Sequence, residues 1–212
     1  FATVNAEATP KTLEEVALTM EEGASIRTNE PNGIRFRSFM SVADYEGLKA
    51  NVGEGKAYKS AYFGMLIAPE DYLTTIGALT EENVFGEDAK YSYGDTAEDG
   101  KTRIINVWSS EMNDFNGQKF FAGIITDVFG TNYNRKFVAQ GYIKVTATDD
   151  TVSYKFAPAA DNHRSIISVA QAAIANGDTS EAVQGFVKNA DLAGLVTSVE
   201  NGDKTAANAV DY

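Results

Sequence analysis

Trp108, the single tryptophan of the chain, lies in Thr102-Arg103-Ile104-Ile105-Asn106-Val107-Trp108-Ser109, a short way downstream of Lys90, Tyr91 and Tyr93. The face of an aromatic ring attracts the C–H bonds of a sugar ring, and flanking Asn, Asp or Lys side chains can orient its hydroxyl groups. Trp108, Tyr91, Tyr93, Asn106 and Lys90 therefore make up the candidate ligand-binding set. Read with a period of two, Arg103, Ile105, Val107 and Ser109 share one strand face, and Ile104, Asn106 and Trp108 share the other. Asn106 makes the second face the more polar one, which favours an exposed Trp108; the competing reading places Trp108 in the core.

Other chemistries find less support. His163 is the only histidine, no Gly-x-Ser-x-Gly elbow accompanies it, and beside Arg164 it reads as a surface or capping residue. Histidine-based zinc sites are disfavoured for the same reason, and the absence of cysteine removes disulfides, thiolate metal sites and cysteine catalysis. Asp95-Thr96-Ala97-Glu98-Asp99-Gly100 resembles half of a calcium loop. Ala97 and Asn106 stand where an EF-hand needs an oxygen ligand and a bidentate Glu, so only an irregular site of loop acids and carbonyls stays open. Carboxylate pairs hydrolyse glycosides when suitably separated across a cleft, yet 30 acids guarantee some pair in any reading. The expectation is no enzyme and no cofactor. Arg27, Arg35 and Arg135 are expected to pair with acids such as Glu30 and Asp127, their stems covering apolar surface.

The whole chain sets wider limits. Its 212 residues carry 18 Lys and Arg against 30 Asp and Glu, a net charge of −12. That balance disfavours nucleic acid and anionic membrane surfaces as partners, and suits a neutral glycan or a protein better. A 43% hydrophobic fraction with 12 Phe and 10 Tyr supplies a sizeable core. No apolar run approaches the roughly 20 residues that span a bilayer, so no membrane insertion is expected. Val4-x-Ala6 has the small-residue spacing of a signal-peptidase site; a processed export signal or an artificial boundary would each explain it, and export is the expectation.

The elements that position the candidates read as follows. Residues 1–22 form an N-terminal arm in which Leu13, Val16, Ala17 and Met20 have helical spacing. Ala24-Ser25-Ile26-Arg27 and Ile34-Arg35-Phe36-Arg37-Ser38-Phe39 form a hairpin around the turn Asn29-Glu30-Pro31-Asn32-Gly33. Ser41 caps a helix with Val42, Tyr45 and Leu48 on one face, and Pro69 takes the first position of another. Tyr62-Phe63-Gly64-Met65-Leu66-Ile67-Ala68 is a buried strand, and the acidic, glycine-punctuated text of residues 80–100 is a long surface loop. Turns at Asn113-Asp114-Phe115-Asn116-Gly117, at Gly130-Thr131-Asn132 and at Asp149-Asp150 separate further strands. The longest runs from Tyr133 to Val145, with Phe137, Ala139, Gly141 and Ile143 on one face and Lys136, Val138, Gln140, Tyr142 and Lys144 on the other. Ile166, Ile167, Val169, Ala170, Ala173 and Ile174 form a helical stripe ended by Asn176-Gly177; Asp178-x-x-Glu181 opens a last helix, and the text from Ala190 has weak periodicity.

Four segments together resemble one family. They are Gly23-Ala24-Ser25-Ile26-Arg27, then Pro31-Asn32-Gly33-Ile34-Arg35-Phe36, then Phe63-Gly64-Met65-Leu66-Ile67-Ala68-Pro69-Glu70-Asp71-Tyr72-Leu73, and Asn132-Tyr133-Asn134-Arg135-Lys136-Phe137 through Gly141-Tyr142-Ile143-Lys144-Val145, trailed by Arg164-Ser165-Ile166. The pattern, over residues 23–175, is similar to an extracellular module that recurs in surface proteins of gut anaerobic bacteria, including starch-adherence proteins. Its motifs are framework, and no family binding residue carries over onto Trp108, Tyr91 or Tyr93. The resulting expectation is an α+β chain, mainly β: an antiparallel sandwich decorated by short helices, with residues 23–212 as one β-rich module. The resemblance implies a noncatalytic, cell-surface carbohydrate-binding role, with starch-type α-glucan as ligand and neighbouring surface-protein domains as partners. The alternative is a structural or adhesive module that binds a protein.

Overall fold

The alternating and the continuous apolar stretches become two antiparallel sheets, stacked face to face, in the computed structural model, which describes residues 7–27, 31, 33–94, 98–128 and 132–188. The expectations for residues 1–6, for the Asn29, Glu30 and Asn32 turn, for Asp95 to Ala97 of the calcium-like loop, for Gly130-Thr131 and for the end from Ala190 lie outside the described residues.

In chain order the elements begin with β1 (Thr19–Met20), β2 (Ser25–Arg27), β3 (Gly33–Ser41), α1 (Val42–Ala50) and β4 (Tyr58–Pro69). Then come α2 (Glu70–Ile76), α3 (Glu81–Phe85), β5 (Tyr91–Ser92), β6 (Thr102–Arg103), β7 (Ile105–Ser109) and β8 (Asn113–Phe115). β9 (Gln118–Thr126), β10 (Phe137–Ala147), β11 (Val152–Phe156), α4 (Ile166–Ala175) and α5 (Glu181–Lys188) complete the fold. One large sheet runs β1-β3-β9-β8, with β2 sharing the β1 edge of β3, a second runs β11-β10-β4-β7, and β5 and β6 form a short parallel pair of their own. The fold is therefore the expected mainly-β sandwich with short helices.

Between the sheets, Ile34, Phe36, Met40, Phe121 and Ile125 meet Phe63, Met65, Ile67, Ile143 and Val145. β4 reads as an unbroken apolar run because both of its faces are covered, the inner by this core and the outer by a second cluster. The β8–β9 turn is tighter than the sequence suggests. Asn116 and Gly117 alone form it, with φ of 49° and 76°, as a two-residue hairpin with right-handed strand twist requires.

Local signals explain several helix ends. The Ser41 hydroxyl accepts from Asp44 N at 3.0 Å, and Tyr45 and Leu48 are buried beneath α1, whereas Val42 faces solvent. Pro69 is the residue before α2, not its first turn. α4 opens with a reciprocal Ser165–Ser168 capping box, and α5 is capped by Ser180 in place of Asp178, which instead accepts from Ser180 N. Ile166, Val169, Ala170, Val183 and Phe186 close one end of the core.

Three expectations are corrected. The segment before Glu22 does not stand off as an arm: Leu13, Val16 and Leu18 are buried, and β1 extends a sheet. Its backbone is held by side chains of the domain, Leu13 N donating to the Tyr58 hydroxyl (2.9 Å) and Ala17 N to Asp44 Oδ2 (2.9 Å), which outweighs a short helix's weak propensity. The text after Thr80 is not a plain surface loop, because Leu79, Val84 and Tyr91 join Leu66, Ala68, Ile104 and Tyr142 in the second cluster. The expected arginine–acid pairing holds for Arg135, though with Asp71, through two bonds of 3.0 and 2.8 Å, whereas Arg35 donates instead to Ser25 Oγ.

Beyond the end of β11, the 157–164 segment takes over as neighbour of β10. Phe137 exchanges backbone bonds with Arg164, and the buried Asn162 amide does the same work for Ala139, donating from Nδ2 to its carbonyl (2.9 Å) and accepting from its N–H (3.3 Å). Asn162→Ala should leave both groups dry and unpaired, lowering stability by about 2–3 kcal/mol in a denaturant titration. An unchanged midpoint would show that water replaces the amide.

An aromatic cleft as candidate functional site

The outer face of the second sheet is assembled from strands far apart in sequence. Lys144 lies opposite Tyr62 on one side and Tyr154 on the other, while Tyr142 lies opposite Gly64, which in turn lies opposite Trp108. With Asn106, Phe85 and Tyr93 these side chains, except Gly64, line a cleft of about 210 Å³.

Gly64 is the key to its floor. A Cβ there would overlap Cζ, Cε1 and the hydroxyl oxygen of Tyr142, so only glycine lets that ring lie across β4. The Tyr142 hydroxyl thereby reaches past one strand and donates to Asn106 Oδ1 on β7 at 2.8 Å. The ring itself is held by Phe85 (5.1 Å between centroids, edge-on) and Phe156 (5.8 Å, stacked).

Three of the five sequence candidates meet here. Trp108 is 60% exposed, with Tyr62 packed edge-on at 4.9 Å, and Tyr93, 42% exposed, rests edge-on against Phe85 at 5.4 Å. Asn106 lies between them at the floor. Tyr91 does not belong: it is 1% exposed, its hydroxyl donates to Gly77 O (2.7 Å), and its neighbours are the second cluster. β5 ends at Ser92, and Tyr93, just beyond it, is exposed where Tyr91 is buried. Lys90 is exposed but outside the cleft. Sequence reasoning missed Tyr62, Phe85, Tyr142, Lys144 and Tyr154 as lining residues. The alternation that placed Tyr142 and Lys144 on one face of β10 was a usable signal; the strand order was not in the text.

Burial pushes the Tyr142 hydroxyl up to about 12, against the opposing pull of Asn106, and burial together with Tyr93 and Glu81 does the same for Tyr154. The folded state thus favours the neutral phenols, whose ordinary value is 10.0. Their contribution to stability is full below pH 10 and lost as the pH rises toward 12. An alkaline titration should show unfolding by circular dichroism in that window, with the last tyrosinates forming in step with it. Complete tyrosine ionisation of the folded protein near pH 10 would contradict this placement.

A larger cavity of about 480 Å³ lies on the same sheet face, between α2, Leu79 and the 157–160 segment. Its lining is mostly aliphatic, and three of its four polar side chains are engaged elsewhere. Gln140 Nε2 donates to Ala157 O, Thr80 Oγ1 caps Asn83 N, and His163 Nδ1 meets Glu70 at 2.8 Å. It offers volume without convergent polar chemistry. Among the described residues no group of three or more His, Asp or Glu is placed to hold a metal ion, and no helix is long and apolar enough to cross a membrane. Comparison with protein-family models, with curated proteins and with solved structures finds no match for this chain.

Proposed function

We propose that this protein is a noncatalytic carbohydrate-binding module of a bacterial cell-surface protein, working outside the cell beside other domains. The observation that carries the reading is Trp108: a large aromatic face, mostly open to solvent, at the rim of a cleft that also offers Asn106 and Lys144. Exposing such a ring costs free energy that a ligand recovers, and a sugar presents the matching combination of C–H bonds and hydroxyls. The net charge of −12 suits a neutral polymer, and the resemblance makes starch-type α-glucan the first ligand to test. A cleft this small gives weak binding alone, which tethering to further modules strengthens through effective concentration.

Affinity electrophoresis in gels containing amylose, other glucans or unrelated polysaccharides tests the reading. Retardation by at least one glycan is expected, with no release of reducing sugar during the run. If none retards the protein, the adhesive alternative takes its place. That alternative has one observation of its own, on the outer face of the other sheet. There the Arg37 guanidinium, ion-paired with Glu21, lies 4.8 Å from the ring of Phe115, which is 41% exposed, and 5.2 Å from Phe39; arginine and aromatic residues are both enriched at protein interfaces.

A further inference from the structure

The rings around the cleft form two separate groups. Phe85 contacts Tyr93, Tyr142 and Tyr154, whereas Tyr62 and Trp108 contact only each other among the described residues. Asn106 and Lys144 lie with both groups around the same space. An open platform for a long chain would be a one-sided row of rings, each taking a successive sugar. A slot walled from two sides is different. At the packing density of organic solids a hexopyranosyl unit fills roughly 150–200 Å³, and the cleft holds about 210 Å³.

The polar groups add a direction. The Tyr142 hydroxyl occupies Asn106 Oδ1, so the group Asn106 has left for a ligand is the Nδ2 donor. Lys144 Nζ has no hydrogen bond or ion pair among the described residues and is likewise only a donor. The slot therefore presents two donors and asks for two acceptors.

We propose, building on the carbohydrate-binding reading, that the cleft recognises a single neutral hexopyranosyl unit at a chain end. Two of its hydroxyl oxygens accept from Asn106 Nδ2 and Lys144 Nζ. Tyr142 is the positioning residue, since it sets which way the Asn106 amide points. A chain end enters a two-walled slot freely, whereas an interior unit must carry chain out of it on both sides.

Calorimetric titration with maltose, maltoheptaose and β-cyclodextrin, and in parallel with cellobiose and longer cello-oligosaccharides, tests this. Within the recognised series, the disaccharide and the longer linear oligosaccharide should bind within about threefold of one another, with affinity compared per mole of chain. If the α-linked series is the recognised one, β-cyclodextrin, which has no ends, should not bind. Tyr142→Phe keeps the ring and should weaken binding about fivefold, the scale of one misdirected hydrogen bond, while the loss of its bond to Asn106 lowers the melting temperature by only about 2–4 °C. Affinity that climbs tenfold or more with chain length, or cyclodextrin binding like maltoheptaose, would overturn end recognition and leave the carbohydrate reading standing. Unaltered affinity in Tyr142→Phe would overturn the donor arrangement. If no sugar in either series binds, the slot falls, and the carbohydrate reading falls with it when no polysaccharide retards the protein in the gels.

Discussion

Trp108→Ala should reduce the association constant for the bound glycan by roughly thirtyfold or more, the scale of an aromatic hot spot of about 2 kcal/mol. The fold should hardly notice. The side chain is 60% exposed and touches one ring, Tyr62, so its removal leaves no internal cavity. Substitutions at such positions stay within about 0.5 kcal/mol, which moves the melting temperature of a chain this size by about 1–2 °C. The separation between the two readouts is the point of the experiment. Lost binding at constant stability assigns the ring to the ligand. Lost stability would mean that Trp108 closes the hydrophobic interior, and retained binding would move the site elsewhere. Trp108→Phe should fall between wild type and Trp108→Ala, because a smaller ring still offers a face.

How much of this was legible depends on whether the cause was local. The Ser41 cap, the Asn116-Gly117 turn and the opposite faces of Phe137 and Tyr142 follow from backbone preferences that operate within a few residues. The exposure of Trp108 was legible for the same reason: Asn106, two residues away, marked a face that needed polar company. Tyr91 was misread because its acidic, glycine-rich neighbourhood concealed Leu79, Val84 and Phe85. Those residues bury nothing by themselves and acquire meaning only once the outer face of β4 and β10 lies beneath them. The first residues of the domain behave likewise, since Leu13 and Val16 have no local partner and are fixed by Tyr58, Asp44 and Lys155 from elsewhere. The cleft combines both kinds of cause. Each strand's faces could be read from its own text, yet bringing Tyr154, Lys144, Tyr62 and Trp108 side by side needs the order β11-β10-β4-β7, which is a product of packing and turn geometry across the whole chain.

Gly64→Val should lower stability by about 3 kcal/mol, or roughly 6–10 °C in melting temperature, and abolish glycan binding with it. Local preference predicts the opposite sign. A glycine inside a strand costs about 0.5–1 kcal/mol relative to alanine, and β-branched residues are favoured on a pleated surface. Geometry decides against that gain, because any Cβ at this position overlaps the Tyr142 ring. That ring has nowhere to go: Phe85 and Phe156 pack against it, and its hydroxyl is tied to Asn106. Displacing it would break the hydrogen bond, release the Asn106 amide and open the second cluster at once. A double-mutant cycle isolates the cause. In a Tyr142→Leu background the obstructing ring is gone, so adding Gly64→Val should cost far less than it does in the wild type. The coupling should reach about 1–3 kcal/mol, as for residues in direct contact. A Gly64→Val protein that melts higher than wild type would show that strand propensity outweighs the overlap. Additive costs in the cycle would show that the glycine serves something other than the tyrosine ring. With the expected coupling, the smallest residue on β4 is what holds the cleft's polar floor in place.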